Sequence, residues 1–151
     1  MNIPVPEKPA LADENSLEGL EAFTEWWFEL LNYAYATNDL EPLKAVTDEG
    51  CKTCANIEDS IAQVYADGGW VVGGEVSLTS FDSTFELNTA GSLSSFIMIT
   101  QTDAVYYDSS GAVTNQSTGF SEPRVNELIA VHDEDEWFLL DVGAVNTGTP
   151  E

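Results

Sequence analysis

The sequence predicts an α+β fold, with three N-terminal helices packed on a curved antiparallel sheet of four to six strands. Two observations carry that expectation. Apolar residues recur at intervals of three and four as far as Tyr65, then alternate at period two once Gly68-Gly69 has passed. The first helix also carries more aromatic surface than packing on one side requires, so a sheet curling around it would leave a cone with an open mouth.

The first helix is expected from about Ser16 to Ala36. Leu17, Leu20, Phe23, Trp27, Leu30, Leu31 and Ala34 share one face, and Glu18, Glu21, Glu25, Glu29 and Asn32 share the other. Asn15 stands at the cap position, with Glu18 three residues on as in a capping box. Trp26, Phe28, Tyr33 and Tyr35 fall on the flanks. Thr37-Asn38-Asp39 stops this helix and caps a short second one holding Leu40, Leu43 and Val46, with Pro42 tolerated in its first turn. A third helix opens at Cys51-Lys52-Thr53-Cys54 and buries Cys54, Ile57, Ile61, Val64 and Tyr65.

Strands follow. Trp70 to Leu78 is one, interrupted by Gly73-Gly74, a pair that signals a bulge or sharp bend. A weaker stretch holds Phe81, Phe85 and Leu87. Leu93 to Tyr107 reads as one long strand between the breaks at Ala90-Gly91 and Asp108-Ser109-Ser110-Gly111. Val113 to about Phe120 returns beside it, Val125 to His132 follows, and the acidic turn Asp133 to Glu136 leads into Trp137 to Val145. Residues 1–14, with Pro4, Pro6 and Pro9, read as a linker or tether, 15–146 as a single domain and 147–151 as a tail.

Composition narrows the function classes. The 151 residues suit one domain able to bury roughly two thirds of its unfolded surface. Four basic residues (Lys8, Lys44, Lys52 and Arg124) stand against 27 acidic ones, a formal net charge of −23. Such a surface repels phosphate backbones and anionic headgroups, so no nucleic-acid partner is expected; cationic partners are favoured. No apolar run reaches the length of about 18 residues that spans a bilayer.

Cys51 and Cys54 form the motif with the sharpest spacing. A short structural disulfide is the plain reading, worth about 2 kcal/mol through loop closure. A redox pair at a helix N-terminus and two free buried thiols are the alternatives. A zinc site would need two more ligands, and the chain offers one histidine and no other cysteine. No metal and no cofactor is expected. His132 reads as a strand-end residue beside four carboxylates, or else as a base. Asp133 to Glu136 lacks the glycine and spaced glutamate of a calcium loop, so it reads as a solvated turn. Arg124 reads as a surface ion pair, or as the partner of an anionic ligand. Trp26, Tyr33, Tyr65, Trp70, Tyr107 and Arg124 are the candidates for lining a pocket.

The helix-then-strand order, the Gly-Gly strand and the ending Trp137-Phe138-Leu139-Leu140-Asp141-Val142-Gly143 resemble the nuclear-transport-factor-two-like, or SnoaL-like, cone fold. More narrowly, Glu18 to Phe23, Leu31-Asn32-Tyr33-Ala34, Asn38-Asp39 with Leu43, and Cys51-Lys52-Thr53-Cys54 resemble an uncharacterised family of actinobacterial lipoproteins. That resemblance implies an extracytoplasmic domain held at the membrane by an N-terminal lipid, whose expected lipobox cysteine is not among the 151 residues of this sequence. Enzymes of the cone fold place an acid in the mouth, for which Asp103, Asp141, Tyr33 and Tyr107 would be the candidates. No spacing assembles a catalytic set from them. The expected function is therefore a non-catalytic binding or assembly module for a protein or apolar small molecule, with a homodimer through the sheet as a further expectation. The alternative is a small isomerase- or dehydratase-like enzyme acting on an apolar carbonyl compound, with the aromatic rings around its cavity.

Overall fold

Ser16 starts the first helix, α1 (Leu17–Thr37), by accepting the Gly19 N–H on its hydroxyl at 3.0 Å. The cap therefore lies one residue beyond Asn15, and Leu17 is exposed instead of joining the core face. The computed structural model describes residues 4–66, 68–83, 86–87 and 91–144. The expected positions of Phe85, Ala90, Val145 and the tail lie outside these residues. α1 ends at Asn38, whose φ of 63° is a left-handed conformation that asparagine tolerates. Two short steps follow: α2 (Glu41–Ala45), with Pro42 in its first turn, and α3 (Lys52–Ala66).

Seven strands follow among the described residues, more than the expected four to six. They are β1 (Trp70–Gly73), β2 (Val76–Asp82), β3 (Leu93–Gln101), β4 (Ala104–Tyr107), β5 (Val113–Ser117), β6 (Phe120–Asp133) and β7 (Glu136–Ala144). All pairings between them are antiparallel, in the orders β1-β4-β5 and β2-β3-β6-β7. The extra strands come from a shared bend. β1/β2, β3/β4 and β5/β6 each break once, at Gly74-Glu75, Thr102-Asp103 and Thr118-Gly119. The breaks are tied to one another: Gly74 N–H donates to Asp103 O at 3.0 Å, Thr102 N–H to Glu75 O at 3.0 Å, and Gly119 N–H to Asp103 Oδ1 at 2.7 Å. Gly73 sits at φ 85°, and a Cβ there would stand 2.1 Å from Asp103 O, so only glycine fits. The expected bend at Gly73-Gly74 is thus real, and the long strand expected from Leu93 to Tyr107 is two.

The expected gap between Phe120 and Val125 is closed, because β6 runs through Pro123. Proline is tolerated there because, among the described residues, β7 pairs only as far back as Asn126 and leaves 120–125 without a second neighbour, and the β3 register slips beside them. Glu134 and Asp135, both at positive φ, form the two-residue hairpin turn into β7.

The core lies between α1 and the inward face of the four-stranded arm. Phe23, Trp27, Leu30, Ile97, Leu128, Trp137 and Leu139 are all at most 1% exposed. Trp26 and Phe28 are buried as well, so α1 is covered over a wide face, as its aromatic flanks suggested. Asn32 departs from the expected solvated side: its amide gives a hydrogen bond to Val76 O at 2.9 Å and takes one from Val76 N–H at 2.8 Å. It fastens the helix to the start of β2.

The linker expected over residues 1–14 is, from Pro4 onward, a strap laid on the domain. A 3-10 turn spans Ala10–Asp13 and buries Ala12 completely. Trp26 Nε1 donates to Pro6 O at 3.1 Å and Trp137 Nε1 to Glu14 O at 2.8 Å. Lys8 reaches Asp13 at 2.5 Å and Glu136 at 3.1 Å. Burial works against its charge, but the two carboxylates outweigh that and hold its pKa above the ordinary value.

Candidate functional site

The aromatic residues expected to line one pocket are dispersed. Trp26 lies under the N-terminal strap, beneath Lys8. Tyr33 donates to Asp39 Oδ2 at 2.9 Å beside the end of α1, a bond that raises its pKa. Tyr65 donates to Tyr35 O at 2.6 Å. Trp70 and Tyr107 are register partners, stacked with centroids 5.3 Å apart. Arg124 is exposed, over the Phe120 ring at 4.0 Å. The rings that occupy the interior are instead Phe23, Trp27 and Trp137, and Trp27 Nε1 is satisfied by Thr47 Oγ1 at 3.0 Å.

The candidate acids are likewise apart. Asp103 takes the Gly119 N–H at the bend, and exposed Asp141 takes the N–H of Val142 at 3.0 Å. His132 Nε2 lies 2.9 Å from Asp13 O and its ring meets Trp137 edge-on, which makes it a tie between β6 and the strap. Cys51 and Cys54 are joined as a disulfide and both buried, at the start of α3. Cys51 also accepts the Cys54 N–H on sulfur at 3.2 Å. Beside it Glu58 has its pKa raised, by burial first. Among the described residues no group of three or more His, Cys, Asp or Glu is placed to hold a metal ion.

Several surface grooves are present, among them one of about 440 Å³ at the bend, lined by residues such as Gln101, Asp103 and Phe120, and two on the sheet arms. One, of about 410 Å³, lies between α3 and the three-stranded arm and is lined by residues such as Val64, Tyr106, Tyr107, Asp108 and Asn115. Its carboxylate, Asp108, accepts from Ser110 Oγ at 2.5 Å, Ser110 N–H at 2.8 Å and Ala112 N–H at 3.1 Å. Those bonds lower its pKa, so it is held as an anion and is no proton donor.

The second groove, of about 370 Å³, opens on the outward face of the four-stranded arm. Leu128, Ala130, Trp137 and Leu139 point inward and are buried, so Ile129, Val131, Phe138 and Leu140 point outward. Val131, Phe138 and Leu140 line this groove. Its other side is formed by Thr47, Asp48 and Glu49, which run along the free edge of β7: Leu139 N–H donates to Val46 O at 2.9 Å, and Asp48 N–H to Leu139 O at 2.7 Å. Further along the face, Phe96 is 47% exposed and Val125 is register partner to Met98. Glu127 lies opposite Phe96 and receives the Ser94 hydroxyl. This face was not among the expected site residues. Its signal lay in the continuous apolar runs Leu128 to Val131 and Trp137 to Leu140, which is how strands read when both faces are to be covered.

Comparison with known proteins bears on fold more than on function. The chain belongs to a family of unknown function (DUF6318), whose model matches residues 1–143. No curated protein sequence matches it. Among solved structures, it is similar to the intermembrane space region of the chloroplast protein ARC6. The TM-score is 0.51 at 12% identity, covering 86% of this chain and 96% of that one. Aln2 from a Streptomyces species gives 0.46 at 14% identity over 81% and 88% of the two chains. An uncharacterised Caulobacter vibrioides protein with a cystatin-like fold gives 0.45 at 12% identity over 89% and 93%. The first likeness concerns the fold, and the other two are too distant to argue from.

Proposed function

We propose that the chain is a non-catalytic binding or assembly module, exposed outside the cytoplasm as the folded part of a bacterial lipoprotein. One observation carries the reading: the four-stranded arm has apolar residues on both faces, yet among the described residues those on the outward face are left exposed or half-buried. Phe23, Trp27 and Trp137 are fully buried between α1 and the sheet, which supports a filled interior. Phe96, Val125, Ile129, Val131, Phe138 and Leu140 are left on the outside, where a partner would bury them. The Cys51–Cys54 disulfide supports an oxidising compartment.

The test addresses the rival reading, an enzyme for an apolar carbonyl compound. Titration of the chain with a panel of steroid ketones and fatty aldehydes should leave both tryptophan fluorescence and melting temperature unchanged. A saturable rise in melting temperature at micromolar ligand, with quenching of the buried tryptophans, would replace the module with a pocket protein.

A further inference from the structure

The chemistry of the uncovered face specifies what should cover it. The apolar strip along β3, β6 and β7 is broken by carboxylates. Glu127 stands within it, Asp82 flanks Phe96 from β2, and Asp141 is register partner to Ile129. At the groove, Asp48, Glu49 and Asp133 surround the floor of Val131, Phe138 and Leu140. Among the described residues, no lysine or arginine occupies an outward register position of these strands. Lys8 is committed to Asp13 and Glu136, Arg124 lies over Phe120 on the opposite parity from Val125, and Lys44 shares with Asp48 and Glu49 a separate groove beside the disulfide, away from Val131, Phe138 and Leu140.

From this we infer that the outward face of β3-β6-β7, with the Val131/Phe138/Leu140 groove at its end, docks a segment of another protein in which apolar residues are interleaved with lysine or arginine. The inference rests on the binding-module reading and adds the partner's chemistry. A second copy of this chain fits poorly, because packing the face on itself sets carboxylate against carboxylate in a chain of net charge −23. An anionic lipid surface fails for the same reason. A cationic amphipathic segment satisfies both halves of the face: its apolar side chains cover the strip and enter the groove, while its cations meet Asp48, Glu49 and Asp133.

The probe is a short fluorescent peptide of alternating leucine and lysine, titrated into the full chain at low salt and followed by anisotropy. It should bind saturably, and replacing its leucines with serine should abolish binding. Reversing two exposed charges at the groove, in the Glu49→Lys/Asp133→Lys double variant, should weaken binding by about tenfold or more. The same reversal on the solvent side of α1, Glu21→Lys/Glu25→Lys, should weaken it by no more than about twofold. Phe96→Ser, at an exposed position, tests the apolar half and should weaken the peptide while leaving the melting temperature in place. Equal losses from both charge reversals, or undiminished binding of the serine peptide, would reduce the effect to unspecific attraction and overturn the proposal. Sedimentation showing a dimer that Phe96→Ser dissolves would assign the face to a second copy, overturning the proposal while leaving the module reading intact. Ligand entry into the interior, read separately by tryptophan quenching, would remove the module reading itself.

Discussion

The two arms of the bent sheet are formed by the same run of chain, yet one is core and the other is mostly surface. In the four-stranded arm the inward residues Ile97, Leu128, Ala130, Trp137 and Leu139 are fully buried, and Trp137 has its indole N–H bonded to Glu14 O. In the three-stranded arm β5 is exposed at every residue, Trp70 is 39% exposed and Val72 54%. Local β-propensity does not separate them, since valine and aromatic residues occur in both. What differs is the cover beneath: the broad aromatic face of the 21-residue α1 under one, and under the other mainly β1's contacts with α1 and with α3, whose Val64 lies beside Tyr106 and Tyr107. A strand is stabilised by what covers it more than by its own sequence.

The sharpest way to break this comparison is to remove the same residue type from each arm. Trp137→Ala should cost about 3–5 kcal/mol in urea unfolding, because it opens a cavity and strands the Glu14 carbonyl. Trp70→Ala should cost about 1 kcal/mol, little more than its stack with Tyr107. Equal losses would mean that both arms belong to one core.

The bend that separates the arms comes next. Gly73→Ala forces a left-handed backbone on alanine and drives its Cβ into Asp103 O, so about 3 kcal/mol should be lost. Hydrogen exchange should then rise along the Gly73-Gly74 and Thr102-Asp103 junction first. Uniform exchange across both arms would show that the junction is not a discrete hinge line.

A smaller effect is expected where α1 grips β2. Asn32→Leu leaves the Val76 N–H and C=O without their amide partner, at a cost of about 2 kcal/mol. Asn32→Asp should recover part of it, since the carboxylate still accepts from Val76 N–H while failing to donate. If both variants unfold alike, the clamp contributes by shape alone.

The smallest effect belongs to the turn that closes the exposed arm. Asp108 has its pKa lowered by the Ser110 hydroxyl first and then by backbone N–H groups. A folded pKa below the unfolded one contributes stability that is present above the unfolded value and lost as pH falls through the folded one. Acid should therefore loosen the β4–β5 turn before the four-stranded arm. A carboxyl titration by NMR that places Asp108 at or above an ordinary aspartate would contradict this.

Much of this architecture was legible in the residues themselves. The face of α1, the stop at Asn38, the break at Gly73-Gly74 and the acidic hairpin all follow from local rules: helical spacing, left-handed tolerance and turn chemistry act over a few neighbours. The disulfide spacing belongs with them. What the tertiary structure alone decided is where each aromatic ring goes and which polar group leaves the solvent. Trp26 turned to the strap, Trp27 and Trp137 to the interior, Trp70 to the surface, and Asn32 to a backbone across 44 residues of chain. The linker expected at the N-terminus became part of the fold in the same way, through Ala12, Pro6 and Glu14. The outward strip of β3, β6 and β7 obeys the same division, for its apolar runs ask for a cover that this chain, among its described residues, does not provide. These outcomes depend on partners distant in sequence, and periodicity reports that a side chain must be covered without reporting by what.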